Sequence, residues 1–289
     1  MSHLFCFGFG YCASYVAQRL AMRGWTISGT ATQDAGVAEI NRRGYQGYIF
    51  DGKRPNPDVS GALRHATHIL LSIPPSENGD PAWRIHGSDI ADSPSIKWIG
   101  YFSTVGVYGD SAGGWIDEAT QPHPGSERGQ RRLKAENEWL ELGSNTNKGV
   151  MIFRLPGIYG PGRSTLDDIR NGTARRIVKP GQVFNRIHVQ DIASAVEAAI
   201  DRPSSGRAYN ITDDEPSPPQ DVVAYAASLL GVPPPPELDF ATAKLSPMGQ
   251  SFYSENKRIA NTRMKAELGV QLQFPSYREG LKDIARLQK

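Results

Sequence analysis

The first residues able to do chemistry are a pair of glycines. Residues 8–13 read GFGYCA, directly after the apolar run HLFCF and before a stretch with helical spacing. Gly8 permits a tight turn. Gly10 lets backbone approach a pyrophosphate, and Ala13, at the place of a third glycine, still allows close helix–strand packing. Gly8, Phe9, Gly10, Tyr11, Cys12 and Ala13 thus form a candidate phosphate cradle at a helix start, where free N–H groups and the positive dipole end favour an anion. The second apolar run, TISGTATQ at 26–33, ends without a carboxylate. Thr30, Thr32 and Gln33 are neutral, so nothing there repels a 2′-phosphate, and Arg42 and Arg43 follow. The expected cofactor is NADP or NAD, with NADP favoured. Asp51, after the third run, is placed to accept from an adenine amino group or to close a turn.

Short apolar runs alternate with helical patterns. The expected strands are His3–Phe7, Thr26–Gly29, Tyr48–Phe50, Thr67–Ser72, Lys97–Ser103, Val150–Arg154 and Ala208–Ile211. Expected helices include Ala13–Arg23, Glu127–Leu142, Ile192–Ile200, Gln220–Leu230, Lys257–Leu268 and Tyr277–Leu287. Such alternation calls for parallel strands joined by right-handed crossovers, and near-continuous apolar runs call for a sheet covered on both faces. The fold class is α/β: a Rossmann-type doubly wound parallel sheet with a smaller C-terminal lobe. Residues 1–160 plus 184–212 are assigned to the nucleotide-binding domain. The Gly/Pro/Arg-rich segment 161–183 plus 213–289 is assigned to the substrate-binding lobe.

The 289 residues carry 32 Lys and Arg against 30 Asp and Glu, interspersed along the chain. No basic stripe points to nucleic acid, and no apolar run is long enough for a membrane helix. The N-terminus lacks a basic region and a cleavage signal, so a cytoplasmic protein is expected. Cys6 and Cys12 have no metal-ligand company and read as reduced, buried thiols, with no metal site.

Five further blocks occur in a recognisable order: YFSTVGVYGD (101–110), WIDEATQPHP (115–124), FRLPGIYGPGR (153–163), NRIHVQDIA (185–193) and YNITDDEP (209–216). With the glycine loop they resemble the extended, atypical short-chain dehydrogenase/reductase family, the NAD-dependent epimerase/dehydratases. That resemblance implies a Ser/Thr at the end of the fifth strand and a Tyr-x-x-x-Lys on the next helix. Thr104, beside Ser103, falls at the Ser/Thr position. Lys134 falls at the lysine, and Gln130 stands where Tyr belongs. Glutamine hydrogen-bonds but does not titrate, so the usual acid/base is missing. The resemblance further implies Ile73, Pro74, Lys134 and Pro156 for the cofactor. It implies Ser103, Tyr108, Gly157, Arg163 and Arg186 for substrate, an arginine fork suiting a phosphate or carboxylate. Tyr108, Tyr159 and His188 are the candidate replacement proton donors. Asp117 and Glu118 read as a solvated loop.

The expected function is an NAD(P)-dependent oxidoreductase or epimerase/dehydratase-like protein. Its substrate would be small and polar, such as a nucleotide sugar or phosphorylated compound, and its acid/base non-standard. The alternative is a catalytically silent NAD(P)-binding sensor. A monomer or homodimer is expected.

Overall fold

The alternating runs become a seven-stranded, wholly parallel sheet with helices on both faces. The computed structural model describes residues 2–288. The chain begins β1 (His3–Phe7), α1 (Tyr11–Ala21), β2 (Thr26–Ala31), α2 (Asp34–Arg42), β3 (Gln46–Ile49), α3 (Pro57–Leu63), β4 (His68–Leu71) and α4 (Pro81–Asp92). Next, β5 (Trp98–Thr104) runs into a 3₁₀ turn (Val105–Tyr108). Then come β6 (Trp115–Ile116), α5 (Glu127–Thr146), β7 (Gly149–Leu155) and β8 (Gly157–Tyr159). The remainder is α6 (Thr165–Arg170), β9 (Arg176–Val178), β10 (Arg186–His188), α7 (Val189–Asp201), β11 (Arg207–Asn210) and α8 (Pro219–Leu230). It ends with β12 (Glu237–Asp239), α9 (Pro247–Tyr253), β13 (Arg258–Ile259), α10 (Thr262–Leu268) and α11 (Tyr277–Leu287).

The sheet order is β11-β7-β5-β4-β1-β2-β3. The order reverses between β1 and β4, which leaves a crevice at the carboxyl ends of the strands, where ligands bind in this architecture. One core lies on the α1, α7 and α10 side, built on Leu4, Val16, Leu20, Val196 and Met264. The other lies under α3, α4 and α5, on Phe5, Phe7, Leu63, Ile90 and Trp139. A separate apolar cluster joins Leu166 of α6, Val222 and Ala226 of α8, and Leu281 and Ile284 of α11.

The sequence reading places one helix too long. Residues 257–261 lie outside the helix instead, with Arg258–Ile259 forming a strand. Arg258 N donates to Gly114 O at 2.9 Å and Ile259 N to Asn185 Oδ1 at 2.9 Å. These outside partners hold β13 against β6, and the helix starts only at Thr262. Glu118 departs from its expected solvated loop. Its side chain is only 2% exposed, accepts from Asn210 N at 2.7 Å and faces Arg263 at 3.7 Å.

Candidate functional site

The glycine loop takes its shape from two local facts. Gly8 has φ of 83°, and a Cβ there would meet Ile73 Cγ1 at 2.8 Å. A side chain is thus excluded by both backbone and space. Thr30 Oγ1 accepts from Gly8 N at 2.9 Å and pins the turn to β2. Gly10 is the N-cap of α1, has no side chain to satisfy the first-turn amides, and has nothing within 4 Å of an added Cβ. The helix start therefore presents its N–H groups to open space, as an anion requires.

That space is a cleft of about 750 Å³ at the switch point. Gly8, Phe9, Gly10, Thr30, Thr32, Asp51, Ile73 and Pro74, all candidates from the sequence, line it. Gly52, Lys53, Ser76, Asn78 and Arg84 also line it and were not anticipated. Arg84 is on α4, and the other four sit on the loops after β3 and β4, whose glycine, proline and polar composition marks a turn but not a wall. Asp51 borders the cleft, and as a turn residue its Oδ1 accepts from Lys53 N at 2.9 Å.

Other expected cofactor residues have different surroundings. Tyr11 donates from Oη to Pro161 O at 3.1 Å, with Arg163 5.7 Å over its ring, and so ties α1 to the loop after β8. Cys12 and Ala13 are buried under the helix, and burial pushes the Cys12 thiol up to about 11. Gln33 is exposed at the start of α2, and Pro156 is half-buried between β7 and β8. Arg42 and Arg43 are turned onto Glu39 and do not border the cleft.

At the end of β5, Thr104 is half-buried and its Oγ1 accepts from Gly106 N at 3.1 Å. Ser103 and Tyr108, expected at substrate, are spent elsewhere. Ser103 Oγ donates to Glu136 at 2.5 Å. Tyr108 Oη donates to Asn210 Oδ1 at 2.9 Å and accepts from Arg154 Nη1 at 2.8 Å. Both are at most 4% exposed. Burial raises the Tyr108 phenol despite the nearby Arg154 charge. Tyr159 is likewise raised by burial, and donates to Ser276 O at 3.2 Å. His188 is 0% exposed, wedged between Tyr159 and Phe274, and burial lowers its pKa to about 4. None of the three is a free proton donor. Gly157 is exposed and its N–H donates to Asn185 O at 3.1 Å. Arg186 donates to Phe184 O and Ser217 O at 3.0 and 3.3 Å, tying these two segments together rather than reaching outward.

The largest correction concerns α5. Lys134 is 70% exposed, with its amine 3.8 Å from Glu138, and Gln130 is also exposed. The buried face of α5 runs through Gly129, Arg132, Ala135, Glu136 and Trp139. At about 100° per residue, positions 130 and 134 lie about 160° around the helix from Arg132. Arg128 and Arg132 stand one turn apart on the other side of the helix, Arg128 exposed in the first turn and Arg132 buried. Arg132 is 9% exposed and donates from Nη1 to Phe102 O and, at 3.4 Å, to Tyr101 Oη. Sequence reasoning missed this pair because 128, 131, 132 and 134 are all basic. Counting back from the apolar Trp139 and Ala135 in helical steps would have found it.

The all-parallel sheet, the switch-point cleft and the uncapped glycine loop form a Rossmann-type architecture, and the structural neighbours of the chain are NAD-dependent epimerase/dehydratases and other extended short-chain dehydrogenase/reductases. A functionally unknown conserved protein from Silicibacter pomeroyi DSS is 44% identical over 100% of both chains, with a TM-score of 0.91. A Methylobacillus flagellatus protein, provisionally assigned as an NAD-dependent epimerase/dehydratase, is 26% identical over 100% of this chain and 99% of its own, with a TM-score of 0.72. Protein YeeZ of Escherichia coli K12 is 29% identical over 93% of this chain and 94% of its own. The dTDP-glucose 4,6-dehydratase of Bacillus anthracis, solved in complex with NAD, shares the fold at 17% identity and a TM-score of 0.78, covering 99% and 96%. No family model matches the chain. Among the described residues no helix is long and apolar enough to cross a membrane, and no group of three or more His, Cys, Asp or Glu could hold a metal.

Proposed function

We propose that the protein is an NAD(P)-dependent oxidoreductase or epimerase/dehydratase-like enzyme acting on a small polar substrate without the usual tyrosine acid/base. The observation that carries this reading is the uncapped first turn of α1 on the floor of the cleft, with Gly8 and Gly10 clearing the approach. A bound nicotinamide would supply or accept hydride.

The chain's own residues have separable tasks. The amides at the start of α1 hold the diphosphate. Thr32, Asp51, Ile73 and Pro74 border the adenosine side. No carboxylate meets the ribose at Thr30 to Gln33, and Arg42 and Arg43 are occupied by Glu39, so both NAD and NADP are accommodated. Thr104 Oγ1 donates to no described residue, which leaves its proton for a substrate oxygen. With Tyr108, Tyr159 and His188 buried, any proton the reaction needs comes from water.

A silent dinucleotide sensor is the second reading, favoured by Arg132 on the inward face of α5, since a guanidinium does not titrate near neutrality. Calorimetric titration with NADH and NADPH tests the shared premise. Micromolar binding of either supports it, and binding of neither overturns it. Oxidation of the bound reduced cofactor by a carbonyl substrate panel then separates enzyme from sensor.

A further inference from the structure

Arg128 and Arg132 have no carboxylate partner among the described residues. Their neighbours do. Arg131 is answered by Glu127 at 2.8 Å and Glu77 at 3.9 Å, and Lys134 by Glu138. The nearby acids are already engaged. Glu136 is closed on Arg154. Asp80 accepts from Trp83 N at 3.0 Å and Trp139 Nε1 at 3.4 Å, and feels Arg132 only through space.

This placement is electrostatically unfavourable for α5 by itself. Like charges one turn apart repel. Arg128 also stands in the first turn, where the helix dipole favours acids. Partial burial and the Arg132 charge together lower the Arg128 pKa. An anion bound between the two would relieve all three effects.

The turn of α5 that carries the pair packs against the end of β5. Arg132 reaches Phe102 O, two residues before Thr104. Gly129, between the two arginines, sits so close to the 3₁₀ turn that an added Cβ would meet Gly106 O at 2.8 Å. Glu77, paired with Arg131, lies between Ser76 and Asn78 of the cleft wall.

We propose that Arg128 and Arg132 form an anion-binding subsite beside Thr104, and that the substrate is a small molecule carrying a carboxylate or a phosphate monoester. A guanidinium fork binds either group through two parallel charge-assisted bonds. The inference deepens the dinucleotide reading and rests on it for the cleft being a reaction site.

The test is calorimetric titration of the NADH-loaded protein with benzoate and, separately, with phenyl phosphate at low salt. Binding of benzoate alone assigns a carboxylate, and of phenyl phosphate alone a phosphate. Arg128→Gln, exposed and therefore safe for folding, is expected to weaken that binding about tenfold or more while NADH affinity changes by less than about twofold. Arg132→Lys keeps the charge, loses the fork, and is expected to weaken it by a smaller factor. Failure of the unsubstituted protein to bind either probe, or unchanged binding in Arg128→Gln, overturns the subsite. If NADH itself does not bind, the dinucleotide reading falls, and the same titrations on the free protein still decide the anion site.

Discussion

Arg154 sets Nε and Nη2 on the two carboxylate oxygens of Glu136, at 3.1 and 2.7 Å, in the interior between β7 and α5. The side chains are 8% and 1% exposed. Ser103 and Tyr108 join the same network, so one ion pair links β5, the 3₁₀ turn, β7 and α5. Removing one partner leaves the other charge buried and unpaired. Arg154→Met is therefore expected to cost about 3–5 kcal/mol, and the double variant Glu136→Leu/Arg154→Met less than that. Urea unfolding of single and double variants measures both. A single variant within about 1 kcal/mol of the parent contradicts a buried pair.

Gly10→Asp separates stability from binding. Gly10 has φ of −87° and ψ of −165°, a conformation open to any residue, and nothing occupies the space beyond. The new carboxylate would cap the first-turn amides and stabilise the fold by about 0.3 kcal/mol. It would also put a negative charge against the pyrophosphate. Dinucleotide affinity is expected to fall about 100-fold or more, roughly 3 kcal/mol, with an unchanged or raised Tm. Calorimetry and a thermal melt on the same sample check the two halves. Retained affinity would move the cofactor away from α1.

The outer face of α5 is expected to be silent. Lys134→Ala removes only an exposed ion pair with Glu138, so dinucleotide affinity should stay within about twofold and stability within about 0.5 kcal/mol. Gln130→Tyr should create no reductase activity, because its ring would project into solvent. A large loss of affinity in Lys134→Ala would restore Lys134 to the site.

Legibility in the sequence followed the strength of local constraint. β1, the glycine loop and α1 were readable because periodicity, glycine chemistry and turn signals agree there. The face of α5 was not readable from its polar residues, which are basic nearly all round between 128 and 134. Only burial of Ala135, Glu136 and Trp139 sets its rotation. Long-range partners were invisible as well. Nothing in WIDE announces that Glu118 will accept from Asn210 N, and nothing in NRIHV announces that Asn185 will hold β13. Tyr108 and Ser103 carry the residue types of a reaction site, yet the sequence does not say that Arg154 and Glu136 will consume them.

His188 makes the fold sensitive to acid. Its Nδ1 accepts from Gln190 N at 3.3 Å, the ring is 0% exposed, and its pKa falls from 6.5 to about 4. The native state holds it neutral, so between those values the unfolded chain binds more protons. Stability is full above pH 6.5 and declines as pH falls towards 4. The contribution of this one group is about 3 kcal/mol at the lower limit. Burial of Asp213 and Asp191 raises their pKa values and acts in the opposite direction, so the comparison must be made against a His188 variant. His188→Gln keeps an acceptor for Gln190 N and loses the titration. The parent's stability should fall more steeply than the variant's between pH 7 and pH 4.5, by urea unfolding across the series. Parallel curves would mean that His188 is protonated in the fold, returning it to the candidates for proton transfer.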